Sequence, residues 1–146
     1  MSDDFTDYVE NAVNWALDKV GSTEYRTLCL AFVEDAYEES NGIWLDGYPS
    51  AKEESDAFEV SHSDEGPPRG AFVFYDCFGT IKDEYRNWGH VGLSLGDGRV
   101  IHAWDKVRVD TVRGVEELEA AEGWTKPSYL GWAPVSKVFE GFKHKE

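Results

Sequence analysis

The stretch NWGHVGLSLGDGRVIHAW, residues 87–104, constrains the fold more than any other part of the chain. Apolar and small or polar residues alternate on both sides of a glycine-rich break, the pattern of two half-buried strands joined by a tight turn. Successive side chains on a strand point to opposite faces, so turn length decides which residues share a face. A two-residue turn at Asp97-Gly98 pairs Leu93 with His102 and sends His90 and His102 to opposite faces. A three-residue turn, Gly96-Asp97-Gly98, pairs Leu95 with Arg99 and Gly92 with His102, and makes the two histidines diagonal neighbours on one face. This register also gathers Val91, Leu93, Leu95, Ile101 and Ala103 on a core face. It leaves His90, Gly92, Ser94, Val100, His102 and Trp104 on the other, and is therefore the one expected.

The chain before the hairpin reads as helical. Phe5, Val9, Ala12, Val13, Ala16, Leu17 and Val20 recur at helical spacing, with Asp3 or Asp4 as cap and Gly21 as the stop. Leu28, Phe32, Ala36 and Tyr37 share the face of a second helix, closed by Asn41-Gly42, with Thr23 or Thr27 as the expected N-cap. Cys29 then falls in or near its first turn. Ser50 and Glu53 have capping-box spacing and predict a short third helix. After the break at HSDEGPPRG the period changes to 2, and AFVFY, HVGLSL, RVIHAW, VRVDTV and SYLGWAPV read as strands, with VEELEAAEG a short helical turn. Helices first and antiparallel strands afterwards define an α+β domain, expected as one domain over residues 1–146.

Net charge narrows the partners. Fourteen Lys and Arg against 29 Asp and Glu give −15, a surface that repels nucleic acid and anionic membranes. No apolar run reaches the roughly 18 residues of a membrane span, and the acidic start MSDDFTDYVE lacks the features of a secretory signal. Synthesis in the cytoplasm is expected. The two cysteines, Cys29 and Cys77, are too few for a disulfide framework and lack zinc-site spacing, so free thiols and no metal or other cofactor are expected. The turn at Gly96–Gly98 is not a phosphate loop, because no helix with Lys-Ser/Thr follows it.

Taken singly, Cys29 suits the buried face of an amphipathic helix, and His90 and His102 suit strand positions. Together, in this order and spacing, PPRGAFVFY, GHVGLSLGDGRVIHA and the cysteine of LCLAFVEDAY resemble the NlpC-type cell-wall peptidases and the related CHAP amidases, papain-like thiol hydrolases. The resemblance spans about residues 20 to 104 and implies a papain-like fold, with N-terminal helices packed on an antiparallel sheet. It implies Cys29 as nucleophile, His90 as general base and His102 as the residue that orients His90; Asp105 is a rival orienter. It also implies Tyr25 as a substrate-contacting residue. The family reads Asp-Cys-Ser-Gly-Phe-Val where this chain has Leu28-Cys29-Leu30-Ala31-Phe32-Val33, so amine recognition by the residues flanking the cysteine does not carry over.

The implied activity is hydrolysis of amide bonds in peptidoglycan stem peptides by a monomer, with Cys77, Trp88 and Trp104 as structural residues. Without a signal, action at the wall would follow lysis, injection or carriage on a phage particle. The alternatives are a catalytically degenerate binding module of a phage particle and an effector hydrolase acting on another amide or acyl substrate. The histidine face is expected to meet the N-terminal end of the helix bearing Cys29.

Overall fold

The structure is a computed structural model that describes residues 5–61 and 66–146. Helices α1 (Thr6–Leu17) and α2 (Cys29–Asn41) lead, followed by a short strand β1 (Ile43–Trp44) and helix α3 (Ala51–Phe58). Strands β2 (Phe72–Asp76), β3 (Phe78–Ile81), β4 (Glu84–Asn87), β5 (His90–Ser94), β6 (Arg99–Ala103), β7 (Val107–Thr111) and β8 (Ser128–Ala133) come next. Helix α4 (Val135–Val138) and strand β9 (Lys143–His144) end the chain. Five strands form one antiparallel sheet in the order β7-β6-β5-β2-β8. The class is α+β, as expected.

The hairpin takes the three-residue turn. Leu93 faces Ile101 and Ser94 faces Val100, while the Leu95 N–H donates to the Arg99 carbonyl at 2.9 Å. Gly96 and Gly98 both carry positive φ, +86° and +88°, a conformation that side chains with a Cβ rarely adopt. The two faces sort as the register demands. Val91, Leu93, Leu95, Ile101 and Ala103 join the main core with Phe72 and Phe74 from β2, and with Val13, Phe32 and Val33 from α1 and α2. Val100 belongs to a second cluster with Val73, Tyr75 and Val115. Burying each such aliphatic or aromatic side chain contributes about 1.5–3 kcal/mol, so the main core dominates stability.

Helix ends follow partly from local chemistry. Ser50 caps α3, accepting from the Glu53 N–H at 3.3 Å while its hydroxyl donates to Glu53 Oε1 at 2.8 Å. Gly42 closes α2. Neither Thr23 nor Thr27 caps that helix. Leu28 is the N-cap residue without a side-chain bond, and Thr27 has φ +65°. The expected Asp3 or Asp4 cap of α1 lies outside the described residues.

The pairing of β1 with β9 and the β3–β4 hairpin were not expected from the sequence. The second is closed by Lys82-Asp83, both at positive φ, a primed turn built without glycine. Among the described residues no helix is long and apolar enough to cross a membrane.

Candidate active site

Cys29 is the first residue of α2, where backbone N–H groups have no partner within the helix. The backbone amides of Val91, Leu30 and Cys29 lie near its sulfur and favour the thiolate form. Val91 follows His90 in β5, so the Cys29 end of α2 meets the start of the histidine strand. Burial nevertheless pushes the thiol up to about 11, the amides pull it back in part, and nearby Glu54 adds to the rise. The resting group is a neutral thiol.

The start of β5 is held from two sides. Asn87 Oδ1 accepts from the Cys77 and Gly89 N–H groups at 2.9 and 3.0 Å, and its amide donates to Asp76 Oδ1 at 2.7 Å. From the other side the Lys52 N–H, in the first turn of α3, donates to the Trp88 carbonyl at 3.0 Å. His90, 3% exposed, thus leaves a pinned segment. Its ring sits between Tyr75, Trp104 and His102, with centroids 5.9, 5.1 and 5.0 Å away.

Nε2 of His90 lies 2.8 Å from Nδ1 of His102, the diagonal contact that the three-residue turn permits. Burial, followed by the neighbouring His102, holds His90 well below the usual histidine range, so it rests neutral. Nε2 of His102 lies 2.8 Å from Asp110 Oδ2. Asp105 does not take the orienting position. It accepts from Arg108 at 3.2 Å, and it is His102 that occupies His90 Nε2.

Gly92 directly faces His102 across the β5–β6 pair, and the missing Cβ makes room for the ring. A Cβ there would lie 2.5 Å from Val100 Cγ2 and 3.0 Å from His102 Cβ. Gly92→Ala is expected to lower stability by about 1–3 kcal/mol through overpacking and to displace His102 from His90. Thermal melts against hydrolysis rates check this: activity should fall further than the loss of folded protein explains.

Cys29 and His90 line one cleft of about 1050 Å³, with Leu28, Leu30, Ile81, Trp88, Trp104 and Trp124 among its apolar walls. Arg26, Glu34, Asp105 and Glu119 bring charge to it. Trp88 and Trp104 also serve packing. The Trp88 indole donates to the Gly79 carbonyl at 3.0 Å with the Arg86 guanidinium over its ring, and the Trp104 indole donates to the Glu119 carbonyl at 3.2 Å.

Tyr25 is not brought to this cleft. Its hydroxyl donates to Asp35 at 2.7 Å and its ring packs on Trp15 and Phe32, while Tyr48 lines the cleft. The N-terminal end of α2 comes to the histidine strand, with Cys29 and His90 lining one cleft. The body of the helices covers the opposite, wholly apolar face. Apolar area decides this, since the face with Val91, Leu93 and Ile101 gains most from helix packing.

Cys77 is 2% exposed, with its thiol 3.5 Å from the Thr125 carbonyl, and it forms part of the cleft wall. Both cysteines are free. Near Cys29, Glu54 is 1% exposed with Oε1 unpartnered, and burial pushes its carboxyl up to about 9. Burial likewise raises Glu34 to about 7. Among the described residues no cluster of three or more His, Cys, Asp and Glu side chains is arranged to hold a metal ion.

Asp110 is absent from the sequence reading, although a signal for it was present. The loop Trp104-Asp105-Lys106 also holds three residues, since Ala103 pairs with Val107. The rule that aligns His90 with His102 therefore aligns His102 with Asp110.

Comparison with curated proteins finds no match. The NlpC/P60 family model, by contrast, matches residues 19–122, a span that takes in Cys29, both histidines, Asp110 and all of the central sheet but β8. By that match and by its α+β, papain-like architecture, the chain belongs to the NlpC/P60 family of cell-wall peptidase-type hydrolases.

Proposed function

We propose that this chain is a single-domain cysteine hydrolase that cleaves an amide bond in peptidoglycan stem peptides, with Cys29, His90 and His102 as its catalytic group. The carrying observation is the meeting of α2 and β5: Cys29, at the start of α2, shares a cleft with His90, whose far nitrogen is taken by His102.

The chemistry follows from the resting charges. A neutral thiol and a neutral imidazole exchange a proton as the sulfur attacks the substrate carbonyl, and His90 acts as general base. The Cys29 N–H, at the open N-terminal end of α2, suits the oxyanion that forms, assisted by the positive end of the helix dipole. Collapse of the tetrahedral species breaks the C–N bond. The amine leaves with the proton from His90, and the acyl group stays on Cys29 as a thioester. Water then attacks the thioester, His90 takes its proton, and the carboxylic acid departs as the thiol is restored. The apolar walls exclude bulk water and strengthen each polar interaction inside.

Cleavage at a stem peptide is tested by mass spectrometry of purified peptidoglycan after digestion. The expected products carry one new amine and one new carboxylate at a single peptide bond, with the glycan strands intact. Intact stem peptides under conditions where a known cell-wall peptidase works would overturn the reading.

A further inference from the structure

We propose that Asp110, clamped by Arg108, is a positioning residue that sets the tautomers of both histidines and leaves Nδ1 of His90 as the proton-accepting nitrogen. This rests on the reading of His90 as general base.

The argument runs inward from the carboxylate. Asp110 accepts from Arg108 Nε at 2.9 Å and from Arg108 Nη2 at 3.4 Å, while Nη1 of the same guanidinium holds Asp105 at 3.2 Å. The hydrogen bond from His102, then Arg108, keeps Asp110 below the ordinary carboxylate range, so at neutral pH it is ionised and can only accept. The 2.8 Å contact with His102 Nε2 therefore requires a proton on that nitrogen. The reading of His90 as general base needs His102 in its neutral form, and with the proton on Nε2 its Nδ1 then carries a lone pair. The 2.8 Å contact between His102 Nδ1 and His90 Nε2 now requires a proton on His90 Nε2. The remaining nitrogen, His90 Nδ1, is left with its lone pair free for the thiol proton.

The opposite arrangement is catalytically dead. If His102 carried its proton on Nδ1, it would donate to His90 Nε2 and force a proton onto His90 Nδ1. Two adjacent neutral histidines choose between these chains only through what stands at the far end. Arg108 fixes that end by anchoring both carboxylate oxygens. Asp110 also faces the imidazolium charge that forms in the transition state, and its 16% side-chain exposure leaves that attraction weakly screened. Tyr75 is occupied with the Val112 carbonyl at 2.7 Å, and beyond it Tyr129 packs on its ring, with Glu116 and Arg113 close by.

The test is Asp110→Ala, which removes the acceptor from His102 Nε2. Oδ2 alone meets both Arg108 Nε, at 2.9 Å, and His102 Nε2, at 2.8 Å, so its removal takes away what holds the proton on His102 Nε2 and frees the chain of protons to invert. Histidine ring ¹⁵N–¹H correlation spectra at pH 7.5 are expected to show His90 and His102 as Nε2–H tautomers in the native protein, with Nδ1–H tautomers populated in the variant. Peptide hydrolysis is expected to lose about 10²–10³ in kcat with KM changed less than about twofold, the signature of a misoriented base. Asp110→Glu, which keeps a carboxylate, is expected to restore the native tautomers and part of kcat. Unchanged tautomers in Asp110→Ala, or a kcat within about twofold of native, would overturn the proposal. The spectra need no substrate. If the tautomers invert but native protein leaves peptidoglycan intact, the hydrolase reading fails and the relay stands.

Discussion

Replacing Cys29 with alanine is expected to abolish peptidoglycan cleavage, by at least about 10⁴-fold, while the protein stays folded. Removing the nucleophile of a covalent mechanism removes both the acylation step and the intermediate, and the surviving groups supply only binding and orientation. The fold has little reason to object. Cys29 is only partly buried, at the first position of α2, where alanine is the best helix former, so the melting temperature should shift by no more than about 2 °C. Circular dichroism and product analysis on the same sample check both halves. Retained cleavage would transfer the nucleophile role to Cys77, the other thiol in the cleft wall. That residue is a poor substitute: burial pushes its thiol up to about 12, and its sulfur faces the Thr125 carbonyl rather than helix N–H groups.

The second large effect is on stability and runs through Glu54. Its folded-state carboxyl titrates near 9 because burial penalises the charged form, with nearby Glu34 adding to the rise. In the unfolded chain it titrates near the ordinary 4.5. Between those values the folded protein holds a proton that the unfolded chain has released. The stabilising contribution is full below pH 4.5 and is lost as the pH rises toward 9. Glu54→Gln has no proton to lose and should therefore gain on the native protein as pH rises. The gain is expected to be near zero at pH 4.5 and about 1–3 kcal/mol at pH 8, after allowing for local relaxation. For a chain of this size that is roughly 3–10 °C in melting temperature. Melts of both proteins from pH 4.5 to 8.5 check it, and parallel curves across that range would show that Glu54 is not held protonated. The same carboxyl lies close enough to Cys29 to raise its thiol, so the variant also reports on how much of the nucleophile's resting state depends on this buried acid.

Much of the candidate site was legible without coordinates because strand geometry is arithmetic. His90 and His102 are twelve residues apart, and with three residues in the turn the diagonal contact at 2.8 Å follows. The capping of α3 by Ser50 and the closure of α2 at Gly42 were equally legible, since both depend on groups within a few residues. The start of α2 was not. A threonine cap is the local preference, yet Tyr25 bonded to Asp35, and Thr27 in a left-handed conformation, place Cys29 first in the helix instead. The β3–β4 hairpin was hidden by its turn, because Lys82-Asp83 lacks the glycine that usually marks a primed turn. Trp124 offsets this by packing where Gly79 has no side chain, and Thr125 caps the Phe78 N–H at 2.9 Å.

The sequence by itself determined which side chains share a face, because the strand period is 2 and a turn holds a whole number of residues. It therefore joined His90 to His102, and the same rule applied to the next loop joins His102 to Asp110. Only the tertiary structure decided which face the helices cover, where the Cys29 sulfur meets the start of β5, and that Arg108 holds the carboxylate at the end of the chain of histidines. Those outcomes depend on buried apolar area and on polar groups brought together from distant segments, and no local pattern encodes the comparison among them.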